Sequence, residues 1–349
     1  MSNNPFTLMY GKTPSSIIRR DDAYLKIYDT FLSTNPSTMS YIITGVRGSG
    51  KTVLLRKLSK DFSNENWIVL DLNPQSNLIE PACEMLYLEG KKNKLYLDWQ
   101  IDLSIPYLTL SLKKGDSPIK NPEIIFENLV KKATEKGKKI LITIDEVNNT
   151  NSIKYFANFY QSLIGKDYQI FLLMTGLKDN INSLISDKAA SFLSRTPKIE
   201  LKPLDLRDIA KEYKKLLNID LDYAIKLSTL TKGYAYAYQV LGYLFYENNP
   251  EKINDEFINL YDEYLSKNGY DVIWNNLTQT EKDFLIAMVS SKTYNVNDIL
   301  NSSKFKESNF NNYRRRLIEK GIIDSPSYGK LTFTLPRFDV FINFLLKFM

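Results

Sequence analysis

Eight consecutive residues, Gly45-Val46-Arg47-Gly48-Ser49-Gly50-Lys51-Thr52, carry the densest chemistry in the chain. They fit the pattern G-x-x-x-x-G-K-[ST]. They follow the apolar run Tyr41-Ile42-Ile43 and precede the helix-patterned stretch Val53-Leu54-Leu55-Arg56-Lys57-Leu58. A strand entering and a helix leaving is the setting this pattern needs. Glycine matters there because side chains would block backbone amides from wrapping a polyphosphate. Lys51 is expected to reach the β- and γ-phosphates, the Thr52 hydroxyl to ligate Mg²⁺, and residues 45 to 53, Val53 included, to form the cradle. The alternative is a glycine turn ahead of an ordinary helix, against which the flanking strand and helix weigh. The expected ligand is a nucleoside triphosphate.

A second run, Ile140-Leu141-Ile142-Thr143-Ile144, ends in the paired carboxylates Asp145-Glu146. Such a strand supplies what a Mg·ATP site needs opposite its phosphate loop. Asp145 is expected to hold the Mg²⁺ shell and Glu146 to orient or deprotonate the attacking water. Taken alone, the two acids also suit a strand capped before a loop; the upstream octapeptide favours hydrolysis. The sequence has no Asn-Lys-x-Asp guanine-specificity motif and no Ser-Gly-Gly signature of the ABC type, so ATP with Mg²⁺ is the expected pair. Histidine is absent, which removes the commonest general base and transition-metal ligand together. Cys83 stands alone, so neither a disulfide frame nor a thiolate metal cluster is available.

The elements that must position these groups follow an α/β pattern. At 349 residues, two or three domains are expected. Apolar runs at Tyr41–Ile43, Trp67–Leu70, Lys139–Ile144, Gln169–Met174 and, more weakly, Ile199–Leu201 read as buried strands. Amphipathic stretches such as Ile124–Lys132 and Ile153–Leu163 alternate with them, which predicts a parallel sheet covered on both faces. Residues 98 to 113 break the rhythm with a two-residue alternation, and read as a hairpin-like surface insertion. The expected organisation is a P-loop core over residues 1–203, a helical lid over 204–270 and a winged helix-turn-helix over 271–349. No apolar run approaches the roughly 20 residues that span a bilayer. The start shows no charged region followed by an apolar stretch, so no signal peptide and a cytoplasmic address are expected, without membrane partners.

The order of these elements resembles the AAA+ and STAND branch of P-loop ATPases, especially the archaeal-type ATPases related to origin-recognition initiators. The resemblance implies a strand between the loop strand and the Asp-Glu strand. That strand ends in a polar sensor residue near the γ-phosphate, matched by Thr175 in Phe171-Leu172-Leu173-Met174-Thr175-Gly176. It also implies an arginine finger at Arg195, in Ser194-Arg195-Thr196, acting in a neighbouring subunit if the ATP state self-associates. Ile18-Arg19-Arg20-Asp21-Asp22 resembles the segment ahead of the loop that helps cover the adenine. One departure stands out. Relatives often carry a Pro or a second-sensor Arg around Gly233, but here the run is Gly233-Tyr234-Ala235-Tyr236-Ala237-Tyr238-Gln239, without an arginine. The three tyrosines read as lid packing, with a stacking platform as the alternative.

The chain carries a net charge of +6, and from Val272 onward there are 11 Lys and Arg against 7 Asp and Glu. The excess hints at an anionic partner, or it forms a solvated basic face. In the stretch Ser308–Lys320, Phe310, Tyr313 and Leu317 are expected to face a core. That leaves Asn309, Asn312, Arg314, Arg315 and Arg316 outward for duplex DNA, with Lys330 on a two-stranded wing. The same unit also suits a regulatory lock on the ATPase or a protein-docking module.

Overall fold

The computed structural model describes residues 4–9, 14, 16–18, 20–74, 77–96, 100–102, 111–113, 118–119, 121–187, 190–250, 252–303 and 305–348. Arg19 and positions 98, 99 and 103–110 of the expected insertion lie outside them. The chain divides into two compact units, one of Asp21–Thr44 with Leu54–Glu200, the other of Met1–Arg20, Gly45–Val53 and Leu201–Met349.

The first unit is built on α1 (Asp21–Leu32), β1 (Ser40–Thr44), α2 (Lys51–Asn64, from Leu54 on), β2 (Ile68–Leu72) and α3 (Ile79–Lys92). Short strands β3 (Gln100–Asp102), β4 (Ser111–Lys113) and β5 (Pro118–Ile119) pair antiparallel, Ile101 opposite Leu112 and Leu112 opposite Ile119. Then come α4 (Pro122–Glu135), β6 (Ile140–Ile144), α5 (Asn151–Ile164), β7 (Ile170–Gly176), α6 (Lys178–Ile185), α7 (Ser191–Arg195) and β8 (Lys198–Glu200). The main sheet is parallel, in the order β2-β6-β7-β1-β8. Every residue of β1, β6 and β7 is buried, the signature of parallel strands covered on both faces. Helix starts follow local chemistry: Asn121 accepts from the Glu123 and Ile124 amides with Pro122 next, and Thr150 accepts from Ile153.

The second unit contains α8 (Leu206–Leu217), α9 (Leu221–Leu230), α10 (Ala235–Asn248), α11 (Asp255–Leu265), a π-helical turn (Ser266–Tyr270) and α12 (Asp271–Asn275). It continues with α13 (Gln279–Ser290), α14 (Val296–Ser302), α15 (Glu307–Glu319), β9 (Ile323–Ser327), β10 (Lys330–Phe333) and α16 (Phe338–Leu346). One apolar cluster runs through it, from Phe6 and Tyr213 to Phe284 and Phe341. By composition Ser325-Pro326-Ser327-Tyr328-Gly329 reads as a five-residue turn between two strands, and the turn is tighter than that. β9 extends through Ser327, and only Tyr328 and Gly329 turn the chain. Pro326 is tolerated because a two-stranded sheet leaves both strands as edges. No helix among the described residues is long and apolar enough to cross a membrane.

The α13 start is a complete capping box, Thr278 with Glu281. Glu281 is 1% exposed, and its carboxylate meets the Lys320 ammonium at 2.8 Å. Burial alone would raise this carboxyl, but Lys320 and the Thr278 backbone N–H outweigh it and hold the group below its ordinary 4.5. A carboxyl lowered on folding stabilises above its ordinary value and loses that contribution as pH falls through the lowered one. Lys320→Met is expected to cost about 3 kcal/mol at neutral pH. It should also shrink the loss of stability on acidification below 4.5, both read by urea unfolding.

Candidate functional site

The loop ahead of α2 belongs to the second unit and is held there from outside. Gly48 and Gly50 take φ +75° and +92°, left-handed values that side chains resist and that alternate the peptide planes into an anion-binding nest. At Gly48 a side chain would also strike the Tyr234 hydroxyl and approach Tyr236 Cβ to 3.0 Å. The loop carbonyls are engaged in turn. Lys51 Nζ donates to Gly45 O and Val46 O, both at 2.9 Å. Tyr234 OH donates to Arg47 O at 2.8 Å, and the Tyr236 N–H to Gly48 O at 3.1 Å. Arg20 Nη2 donates to Ser49 O at 2.6 Å, while its Nη1 bonds Lys202 O. Burial lowers the Arg20 guanidinium to about 10. Lys51 is itself buried, whereas Thr52 and Val53 are half-exposed.

The fit of a polyphosphate can be judged from this arrangement. The carbonyls of residues 45 to 49 are all occupied by donors, and Ser49 Oγ is buried with no hydrogen-bond partner among the described residues. A cationic ammonium, nest glycines and an orphaned hydroxyl suit phosphate oxygens. They also stand at the N-terminus of α2, a 14-residue helix, where the macrodipole favours an anion.

The carboxylates lie in the first unit, where β6 ends. Asp145 is half-buried and Glu146 exposed. Glu146 takes φ +55°, an uncommon backbone for a residue with a side chain. The neighbouring strand holds it there. The Thr175 hydroxyl, fully buried on β7, donates to Asp145 Oδ1 and accepts from the Glu146 N–H at 3.1 Å. The same N–H reaches Asp145 Oδ1 at 3.1 Å, and the Val147 N–H bonds Thr175 O at 2.8 Å. Asp145, Glu146 and Thr175 are thus one hydrogen-bonded cluster.

Arg195 is exposed at the end of α7. Because β8 runs parallel to β1 with Lys198 beside Ile42, Arg195 lies toward the amino ends of the strands. Asp145 and Thr175 lie at the carboxyl ends, so Arg195 does not join their cluster. On α15, Phe310 and Leu317 are buried. Asn309, Asn312, Arg315 and Arg316 are exposed, Arg314 is half-buried, and Lys330 is exposed on β10. Arg315 lies 3.9 Å from Glu319. Tyr234, Tyr236 and Tyr238 are buried, in line with packing. Sequence reasoning missed the bonds of Tyr234 and Tyr236 to the loop, and Arg20 spends its donors on backbone carbonyls. No spacing rule signals a contact between residues 187 positions apart.

Two family models match parts of the chain: "Domain of unknown function (DUF8462)" over residues 267–342, and "Mitochondrial ribosomal death-associated protein 3" over residues 18–102. No curated protein matches it. Among solved structures, the ORC2 protein of Aeropyrum pernix in ADPNP-ADP complexes is similar at 15% identity, covering 97% of this chain and 96% of that one, with a TM-score of 0.57. Its ADP form is similar at 14% identity over the same shares, with a TM-score of 0.51. Cdc6p from Pyrobaculum aerophilum is 18% identical over 97% of both chains, at a TM-score of 0.49. With β7 inserted between β6 and β1, the fold is the α/β P-loop fold of the AAA+ type.

Thr175→Val keeps the shape but deletes a hydroxyl that donates to Asp145 and accepts from Glu146. It is expected to destabilise the protein by about 1–3 kcal/mol, the cost of leaving buried polar groups unmade. Thr175→Ser should restore most of that. Chemical unfolding of the two variants beside the parent checks both.

Proposed function

We propose that this chain is a Mg²⁺-dependent ATPase that uses ATP binding and hydrolysis as a conformational switch. The observation that carries the reading is the loop: left-handed glycines, occupied carbonyls and a buried lysine at the start of a long helix. The ORC2 fold neighbours, whose structures hold ADPNP and ADP, support adenine as the base. Lys51 exchanges the Gly45 and Val46 carbonyls for phosphate oxygens, and the amides of residues 45 to 53 bind the rest of the polyphosphate. Thr52 and Asp145 offer the hard oxygen donors that suit Mg²⁺. When bound, the cation neutralises charge on the phosphates. Without histidine in the chain, Glu146 is the base that orients and deprotonates water, and Thr175 holds its backbone in place. The exposed Arg195 acts, on this reading, on a second copy of the chain rather than in its own site.

For the output we propose ATP-gated binding of duplex DNA by a winged helix formed by α13 to β10. The exposed Asn and Arg residues of α15 would lie against the groove and Lys330 against the backbone. One observation favours a second reading, a regulatory lock. Gly321, between α15 and β9, lies so close to Val46 of the phosphate loop that a side chain there would strike Val46 Cγ1.

Lys51→Ala removes two charge-assisted bonds, each worth about 1.5–3 kcal/mol, so ATP affinity should fall by on the order of 100-fold or more. Unchanged affinity in calorimetry would refute the central assignment. Glu146→Gln should keep binding while turnover falls by roughly 10²-fold or more, and a parental rate would remove Glu146 from the mechanism.

Replacing Arg314, Arg315 and Arg316 together should weaken duplex binding and flatten its salt dependence by about one unit per lost phosphate contact. ATP turnover without DNA should stay the same. A lock predicts the reverse: no DNA affinity to lose, and altered ADP release. Gel-shift titration beside an ADP-release assay separates the two.

A further inference from the structure

The region where a second sensor cation is expected holds tyrosines, and these contact the loop's peptide backbone. Tyr234 is the N-cap residue of α10 and is buried, yet its hydroxyl is spent on Arg47 O at 2.8 Å. Two residues on, the Tyr236 N–H takes Gly48 O. The Tyr236 ring packs against Gly269 of the π-helical turn, where a Cβ would lie 3.0 Å away, and its hydroxyl donates to Tyr264 O at 3.3 Å. Adjacent loop carbonyls are therefore tied to α10, and through Tyr236 to α11 and the π-helical turn. Lys51 holds the first two carbonyls itself, and those bonds must be given up to a bound phosphate. The bonds from Tyr234 and Tyr236 need not be.

We infer that Tyr234 is a positioning residue for the nucleotide: it couples the α8–α11 helices to the bound phosphates through the outer, carbonyl side of the loop. A peptide whose carbonyl is held outward presents the following amide inward, so fixing Arg47 O pre-orients the Gly48 N–H for phosphate. Coupling of this kind is reciprocal. A bound nucleotide holds the Tyr234 bond closed, and the closed bond slows nucleotide release. The inference rests on the nucleotide reading above and adds how the helices sense occupancy through the loop's backbone carbonyls.

Tyr234→Phe keeps the ring and deletes only the hydroxyl. Tyr213→Phe is the matched control, since Tyr213 OH donates to Tyr238 O at 2.8 Å in the same apolar cluster but away from the loop. Release of a fluorescent ADP analogue and ADP affinity by calorimetry are measured on the full chain, beside unfolding without nucleotide. Tyr234→Phe should speed ADP release and weaken affinity about fivefold, the worth of one net hydrogen bond. Tyr213→Phe should lose stability while its release rate stays parental. Equal release rates for Tyr234→Phe and parent, or equal acceleration by both variants, overturn the inference. A parent protein that binds neither ADP nor ATP overturns the nucleotide reading itself, and the inference with it.

Discussion

A peptide group has two ends, and a loop can turn its amides onto an anion only if its carbonyls are directed elsewhere and satisfied there. That constraint organises the second unit. The segment Gly45–Val53 is separated in sequence from the rest of its unit, and it is joined to that unit by donors to its carbonyls. The cation Arg20, the phenol of Tyr234 and the helix-start amide of Tyr236 each satisfy one oxygen. Glycine is required at position 48 twice over, by a left-handed φ and by the tyrosines packed against it.

The first unit meets a different demand, the placing of a carboxylate on a bent backbone. Strand β6 is buried along its whole length, so its end is fixed by packing, and Glu146 turns sharply out of it. The neighbouring β7 contributes a single hydroxyl that serves both acids, as donor to Asp145 and acceptor from the Glu146 amide. That use requires β7 to lie directly beside β6, as the strand order has it. The sheet topology is thus tied to the local chemistry at Thr175.

Much of this was legible in the amino-acid sequence. Continuous apolar runs located β1, β6 and β7 because strands buried on both faces must be apolar throughout. Strand β8, with Lys198 and Glu200 exposed around Ile199, left only a weaker signal. The octapeptide marked the loop because few residue types permit its backbone. The Phe310 and Leu317 spacing placed the core side of α15. Other features left no trace. Tyr234 and Tyr236 looked like packing, and they do pack; their bonds to the loop depend on a fold that brings residues far apart in sequence together. Arg20 stands in the stretch that resembles an adenine-covering segment, and nothing in that resemblance signals that its cation bonds the carbonyls of Ser49 and Lys202. The tight turn at Tyr328-Gly329 was hidden by Pro326, which composition places in turns and an edge strand can accommodate.

The way the second unit is assembled from three stretches of chain has a consequence for synthesis on the ribosome. The phosphate loop is made early, but the phenol that holds Arg47 O comes 187 residues later. At ~5–20 residues per second the octapeptide spends roughly 10 to 40 s in the growing chain before the partners of Arg47 O and Gly48 O exist, while Lys51 and Arg20 are already present. A nascent chain stopped before α10 therefore carries the whole octapeptide without the tyrosines that hold its two middle carbonyls.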